Sequence, residues 1–347
     1  MKRILMHLPD MEGSGLHRAV LPLTHCREQL AQDEISLTGD YLLRSFDYDA
    51  YVVHRCPRPP MPEMLARIKD KGKKIIWDLD DDYWRVPTWN PAHKYQDMKT
   101  LDWLRENADR ILVSTEPLAQ AVNRPEKTTI LPNLVDRSSW PRVERKPNDP
   151  LRILWAGSIH HAKDIEEVVP AVIRLIEEYR QRVLFLFWGD LPDALSEIVH
   201  VRYSHLTMQV PADLYRGCLG LIQSVPTPQY PETAVTIQPD IGLAPLSDDN
   251  FNHSKSNLKY LDYAMMGCPG IYTDQPPYSC VKHGETGLLV PPGDSEGWYE
   301  AVKTLIEDDV KRDGMGFLAS IDVQENWTWD GPKKWDWINA FRSIAWA

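Results

Sequence analysis

The sequence predicts an α/β protein with two Rossmann-like domains, each wound around a parallel sheet, and three observations carry that expectation. Its 347 residues, 43% of them hydrophobic, are enough to fill two medium cores. Short apolar runs alternate with amphipathic segments along most of the chain, the pattern of buried strands and covering helices. A polar, proline-bearing stretch from Arg142 to Pro150 separates two such series and reads as a linker.

In the first series the candidate strands are Ile4-Leu5-Met6, Tyr51-Val52-Val53, Lys74-Ile75-Ile76-Trp77 and Arg110-Ile111-Leu112-Val113. The second series runs through Arg152 to Ala156, Val183 to Trp188, Ile241 to Ala244 and Gly270-Ile271-Tyr272. Between them, Ile165, Val168, Val169, Val172, Leu175, Ile176 and Tyr179 recur at helical spacing, which predicts one helix from Asp164 to Tyr179. Asp164 is its expected cap and Pro170 its expected kink. The tail carries Trp327, Trp329, Trp335, Trp337, Phe341 and Trp346. Two readings fit it: a terminal helix docked on the body, or an aromatic platform for a sugar or base.

Thirteen Trp, fourteen Tyr and six Phe exclude a disordered chain. A formal net charge of -11 opposes wholesale wrapping of nucleic acid or of an anionic membrane. The five cysteines show neither C-x-x-C pairing nor metal-ligand spacing with histidine, so free thiols in the cytoplasm are expected. The first apolar run ends after Met6 at His7, Pro9 and Asp10, too short for a leader peptide, and no stretch approaches the roughly 20 apolar residues of a membrane span.

Ligands of doubly wound sheets bind beyond the carboxyl ends of the strands, so the residues after each strand are the candidates. The segment Phe251 to Gly267 puts Lys255, Lys259 and Asp262 at spacings of four and three along one predicted helical face, with Leu258, Leu261 and Met265 towards the core. At a helix start, free N–H groups and Lys255 favour a phosphate, and a carboxylate further on accepts from ribose hydroxyls; an ordinary solvated face with a Lys–Asp pair explains the same spacing. Gly157-Ser158-Ile159-His160-His161-Ala162-Lys163 is a glycine turn with basic residues leading into a helix, suited to a diphosphate but far from a G-x-G-x-x-G fingerprint. Glu12-Gly13-Ser14-Gly15-Leu16-His17-Arg18 is a glycine-rich loop opening a helix, or a plain tight turn. The run Asp78-Leu79-Asp80-Asp81-Asp82 sets four carboxylates in five residues after a buried strand, suited to a divalent metal, a general base or acceptor hydroxyls. His54-Arg55 is a further candidate of this kind. Neither G-x-S-x-G nor H-E-x-x-H occurs, so a serine hydrolase or zinc peptidase has no support.

From about Asp109 to Trp329 the chain resembles the GT-B, group 1 nucleotide-sugar-dependent glycosyltransferases. Ala108 to Thr115, Ile130 to Asp136, Leu154 to Ser158, Leu261 to Pro269 and His283 to Val290 carry the likeness in this order. Asp78 to Pro87, Gly157 to Asp164 and Ala244 to Lys259 are similar to a subgroup associated with bacterial surface polysaccharides and bacteriophages. The family pairs two glutamates seven residues apart near the donor, whereas this chain has Ser254 at the first position and Asp262 at the second. It also has Ser158 where many relatives have arginine.

The resemblance implies an acceptor domain over residues 1–148, a nucleotide-sugar domain over 149–329, a tail over 330–347 returning to the first, and a cleft between the domains. It implies a donor site of Gly157, Ser158, His161, Lys163, Ser254, Lys255, Ser256, Lys259 and Asp262. His161, Lys163 and Lys255 then supply charge for the diphosphate, and Asp262 takes the ribose. Acceptor-side candidates are Gly13, Ser14, Gly15, Arg18, Arg55 and Asp80; Asp81, Asp82 and Lys255 are the catalytic candidates. The implied reaction moves a sugar, as in a hexosyltransferase, from a nucleoside-diphosphate sugar such as a UDP-sugar to a hydroxyl. It leans towards retention of anomeric configuration, with no tightly bound cofactor and no strict need for a divalent metal. A saccharide is the expected acceptor; hydroxymethylated bases of phage DNA, or nucleotide-sugar binding with little transfer, are the alternatives.

Overall fold

A computed structural model describes residues 2–9, 13–30, 34–40, 46–55, 58, 61–189, 195 and 218–346. Asp10 and Glu12, named above, and Cys56, one of the five cysteines, lie outside the described residues. By contacts the chain forms two units: Met1–Arg137 with His253–Ser256 and Glu325–Ala347, and Ser138–Asn252 with Asn257–Gln324.

The first unit holds a six-stranded parallel sheet in the order β2-β1-β3-β4-β5-β6. Its strands are β1 (Arg3–His7), β2 (Glu34–Thr38), β3 (Ala50–His54), β4 (Lys74–Leu79), β5 (Arg110–Val113) and β6 (Thr128–Ile130). The central strands β3 and β4 are buried almost throughout, as covering on both faces requires. Chain order reverses between β1 and β3, so the crevice of this sheet opens beyond His7 and His54.

The second unit repeats the plan with the order β12-β11-β10-β7-β8-β9. Here β7 is Leu151–Gly157, β8 Val183–Gly189, β9 Leu219–Ile222, β10 Ile241–Ala244, β11 Gly270–Thr273 and β12 Gly287–Val290. The reversal falls between β7 and β10, beyond Gly157 and Ala244. A Cβ on Gly157 would stand 2.3 Å from the ring of buried Trp155, so glycine is required for that close approach.

The helix predicted from Asp164 to Tyr179 is two helices, Ala162–Glu166 and Val169–Tyr179. Pro170 sits in the first turn of the second, where its missing N–H has no bond to lose, so it starts a helix instead of kinking one. The cap position of the first is His161, and Asp164 lies inside that helix with its carboxylate buried. Arg145 and Asn148, in the stretch read as a linker, are pinned to the second unit: Arg145 donates to the carbonyls of Met266 (3.1 Å) and Pro239 (2.8 Å), and Asn148 to that of Gln238 (2.7 Å).

The helix Lys334–Trp346 belongs to the first unit, where Trp329, Trp337 and Phe341 join the core formed with Ile4, Met6 and Val52. Trp337 Nε1 donates to the Pro132 carbonyl at 3.0 Å, which satisfies its buried N–H. Docking therefore accounts for these aromatic residues, and Trp335 alone among Trp329, Trp335 and Trp337 stands exposed.

Candidate functional site

In the first unit the chain leaves β1 through Gly13 and Ser14 into a helical segment that carries Arg18 inwards. The Arg18 guanidinium is fully buried. Its Nη2 and Nε donate to Asp78 Oδ2 (2.7 Å) and Oδ1 (3.2 Å), and Nη1 donates to the Leu131 carbonyl and to Asn133 Oδ1 (3.3 Å). Trp337 lies 4.7 Å beneath it. Arg18, expected on the acceptor side, thus has its donors spent inside the unit and holds Asp78 in place.

Asp78, at the end of β4, also accepts from His54 Nδ1 at 2.7 Å, and both side chains are wholly buried. Burial pushes the Asp78 carboxyl up, but Arg18 and His54 outweigh it and hold the group below its ordinary value. On the far side of the imidazole, Nε2 meets Ser14 Oγ at 2.9 Å, and Ser14 is partly exposed.

The rest of the acidic run divides by environment. Asp80 takes Arg55 Nη2 at 3.4 Å and the Tyr83 hydroxyl at 3.3 Å; against the cost of burial, the Arg55 and His54 charges keep its carboxyl well below the usual range. Asp82 is buried and accepts from Trp84 N at 3.1 Å, closing a turn, and burial raises its carboxyl. Asp81 is the more exposed neighbour and faces Lys255 Nζ at 3.5 Å.

Lys255 does not share a helix with Lys259 and Asp262. The helix starts at Leu258 with Asn257 as its cap, and His253–Ser256 precedes it as part of the first unit. That segment is fastened by Thr115 Oγ1 donating to the Ser254 carbonyl (2.8 Å) and Asn133 Nδ2 donating to Ser256 Oγ (3.0 Å). Sequence spacing ran one helix through a break that these tertiary bonds impose.

In the second unit the helix Leu258–Met266 buries Tyr260, Leu261, Tyr263, Ala264 and Met266, so of the expected Leu258–Leu261–Met265 stripe only Leu261 is buried, and Leu258 and Met265 are half-buried. Tyr263 donates its hydroxyl to the Leu243 carbonyl of β10 at 2.7 Å, which ties the helix to the sheet beside the crevice. Gly267 ends it in the left-handed conformation at φ 72°. Asp262 accepts from the Tyr230 hydroxyl at 3.0 Å and has Lys259 Nζ at 3.8 Å; Tyr230 stacks on Trp188 with centroids 4.4 Å apart. Burial pushes the Asp262 carboxyl up and the Lys259 ammonium down.

At the crevice, Asp164 accepts from the Ser247 backbone (3.0 Å), Asn252 Nδ2 (2.8 Å) and His161 Nδ1 (2.8 Å). It therefore fastens the turn after β7 to the segment after β10. Ser158 is exposed, and Lys163 pairs with Glu166 at 3.1 Å on the surface. Sequence reading missed Asn252 and the Trp188–Tyr230 stack, since neither has a local signature. Among the described residues no group of three or more His, Cys, Asp or Glu side chains is arranged to hold a metal ion, and no helix is long and apolar enough to cross a membrane.

Comparison with known proteins bears on the fold and on the second unit. Residues 150–308, within the second unit, match the protein-family model described as Glycosyl transferases group 1. Over its length the chain is similar to HepE of Anabaena, solved in complex with UDP and glucose, at a TM-score of 0.67 and 12% identity, covering 99% of this chain and 100% of that one. It is similar to sucrose-phosphate synthase of Thermosynechococcus elongatus at 0.70 and 13%, covering 99% of each. TarM of S. aureus follows at 0.62 and 12%, with 93% of this chain and 58% of that one covered. The chain thus has the two-sheet α/β architecture of GT-B glycosyltransferases. No curated protein sequence matches it.

Proposed function

We propose that this protein is a glycosyltransferase that moves a hexosyl unit from a nucleoside-diphosphate sugar, a UDP-sugar by analogy with the HepE complex, to a saccharide hydroxyl. The observation that carries the reading is the group 1 match over the unit whose crevice opens beyond Gly157 and Ala244. In this reading the second unit binds the donor. Gly157 and Ser158 lie under the diphosphate with His161 and Lys163 beside it, and Asp262 and Lys259 meet the ribose. Ser254, Lys255 and Ser256 approach the sugar and phosphate. The first unit binds the acceptor near Gly13, Ser14, Gly15, Arg55 and Asp80, with Asp81, Asp82 and Lys255 nearest the chemistry. Retention of anomeric configuration, independence from divalent metal, a cytoplasmic setting and a place in surface-polysaccharide or phage biology belong to the same proposal.

A thermal-shift panel across nucleotide sugars, followed by sugar transfer from whichever donor stabilises, tests it. A donor at about 100 times its dissociation constant adds about 2.7 kcal/mol, and no shift with any member would sink the reading. Asp262→Asn should weaken that donor by roughly 1.5–3 kcal/mol with turnover at saturation little changed, because ribose contacts do not alter during transfer. Calorimetry showing equal donor affinity would remove Asp262 from the site.

A DNA acceptor is the second enzymatic reading and nucleotide-sugar binding without transfer the third; measured turnover dismisses the last. With DNA, apparent acceptor affinity should fall about 10³-fold or more between 50 and 200 mM salt. The charge of -11 favours a shallow dependence and a saccharide. A steep slope with transfer to DNA would reverse the ranking.

A further inference from the structure

We propose that the helix Asp309–Asn326 pairs with the same helix of a second copy of this chain, antiparallel and about a two-fold axis. The proposal stands apart from the glycosyltransferase reading, since no residue assigned to donor, acceptor or catalysis lies on this helix.

The helix has two apolar faces. Arg312, Met315, Gly316, Ala319 and Val323 recur every three or four residues and turn into the protein. On the opposite side Val310, Gly314, Phe317, Leu318 and Ile321 follow one another at offsets of 4, 7, 8 and 11 residues, which makes a second helical stripe. Its side chains stand in solvent: Val310 is 80% exposed, Phe317 64%, Leu318 47% and Ile321 39%. A single exposed apolar residue is ordinary. A continuous stripe of roughly 400 Å² reaches the size of the largest patch on a typical monomer, where such patches mark contact surfaces.

Gly314 points to what covers it. Glycine weakens a helix interior, so each one needs a reason. Gly316 has one inside the chain, because a Cβ there would stand 2.7 Å from the Gly267 carbonyl oxygen. At Gly314 a Cβ would meet nothing within 4 Å among the described residues, and the backbone is not left-handed. The chain's own packing therefore has no use for this glycine. In an apolar stripe it leaves a notch, and a notch receives a protruding side chain from a facing helix.

The stripe is complementary to itself. Val310 to Gly314 and Phe317 to Ile321 are both steps of four, so a copy turned end over end sets its Ile321 opposite Val310 and its Phe317 opposite Gly314. The charges fit the same arrangement. Lys311 is the only exposed cation of the helix, and antiparallel pairing brings it to the end where the other copy carries Asp322 and Glu325, whereas parallel pairing would set lysine against lysine. A membrane is a poor match, since an interfacial helix has a basic polar face and this one exposes Asp309, Asp313 and Glu325 against a single lysine. With its flanks, the paired stripe removes roughly 1,000 Å² over both copies, the least that a specific interface needs, so the dimer is weak and its population follows concentration.

Sedimentation velocity of the full chain tests this, at about 0.15 M salt so that the repulsion between two chains of charge -11 is screened. Between about 1 and 200 µM the wild type should pass from monomer to dimer. Phe317→Glu, which removes the knob, and Gly314→Leu, which fills the notch, should each weaken association about tenfold or more with melting temperature unchanged. Val310→Glu and Ile321→Lys should each associate poorly alone and pair with one another when mixed, because only the antiparallel register sets these positions opposite. A wild type monomeric throughout, a dimer untouched by Phe317→Glu and Gly314→Leu, or a mixture that fails to pair overturns the proposal. So does flotation of the monomer with phosphatidylcholine–phosphatidylglycerol vesicles that Phe317→Glu abolishes, which would give the stripe to a membrane.

Discussion

Arg18→Met is expected to destabilise the first unit by about 3–5 kcal/mol at pH 7, the usual loss when one partner of a buried ion pair is removed. The guanidinium and Asp78 have no exposed surface, and Arg18 also satisfies the Leu131 carbonyl and Asn133. Methionine fills much of the volume but leaves a buried carboxylate with His54 as its chief remaining partner. The sign of the pH dependence follows. Asp78 is depressed in the folded wild type, so its contribution is present above the unfolded carboxyl range and is lost as pH falls through the folded value. Without Arg18 the folded value rises, Asp78 takes up a proton earlier, and the penalty shrinks on acidification. Urea unfolding at pH 7 and pH 5 measures both. A loss under 1 kcal/mol, or one that grows in acid, would show that the pair does not hold this core.

Lys255→Ala is expected to lower kcat by about 10²–10³-fold, the range for removing one preorganised group that meets developing charge. The departing diphosphate gains charge as the glycosidic bond breaks, so a lysine that meets it contributes more in the transition state than in the ground state. Lys255 is preorganised: the Thr115 bond to Ser254, the Asn133 bond to Ser256 and Asp81 at 3.5 Å hold its segment. Asp81→Asn and Asp82→Asn separate the roles. Both should lower turnover more than donor affinity, Asp81 by releasing Lys255 and Asp82 by loosening the turn at Trp84. Steady-state kinetics with donor and acceptor varied in turn decide it, and a Lys255→Ala rate within threefold of wild type would mean that the lysine only braces Asp81.

The eight strands legible from apolar runs are the central ones of the two sheets. The four that were not, Glu34–Thr38, Thr128–Ile130, Leu219–Ile222 and Gly287–Val290, are the four sheet edges. An edge strand pairs on one side only, and Glu34–Thr38 and Thr128–Ile130 accordingly carry polar, half-exposed residues that leave a weak trace, whereas Leu219–Ile222 and Gly287–Val290 are four-residue apolar runs that each contain a glycine, which weakens the strand signal. Asp164 and Pro170 were visible as helix signals, but the part each plays depended on neighbours. Asp164 had Ser247 and Asn252 to bond, and Pro170 had a first turn in which no N–H was needed.

By itself the sequence determined the α/β class, the central strands and the loops after them where candidates cluster, because burial and the preference for helix or strand are written in local periodicity. Only the tertiary structure decided which of those candidates come into contact. Ser14, His54, Asp78 and Arg18 span 64 positions of chain, and Lys255 reaches Asp81 across 174. Hydrogen bonds and charge pairs act over about 3 Å regardless of separation along the chain. Parallel sheets bring distant strand ends side by side, so the partners of a site are set by strand order, which no local pattern records.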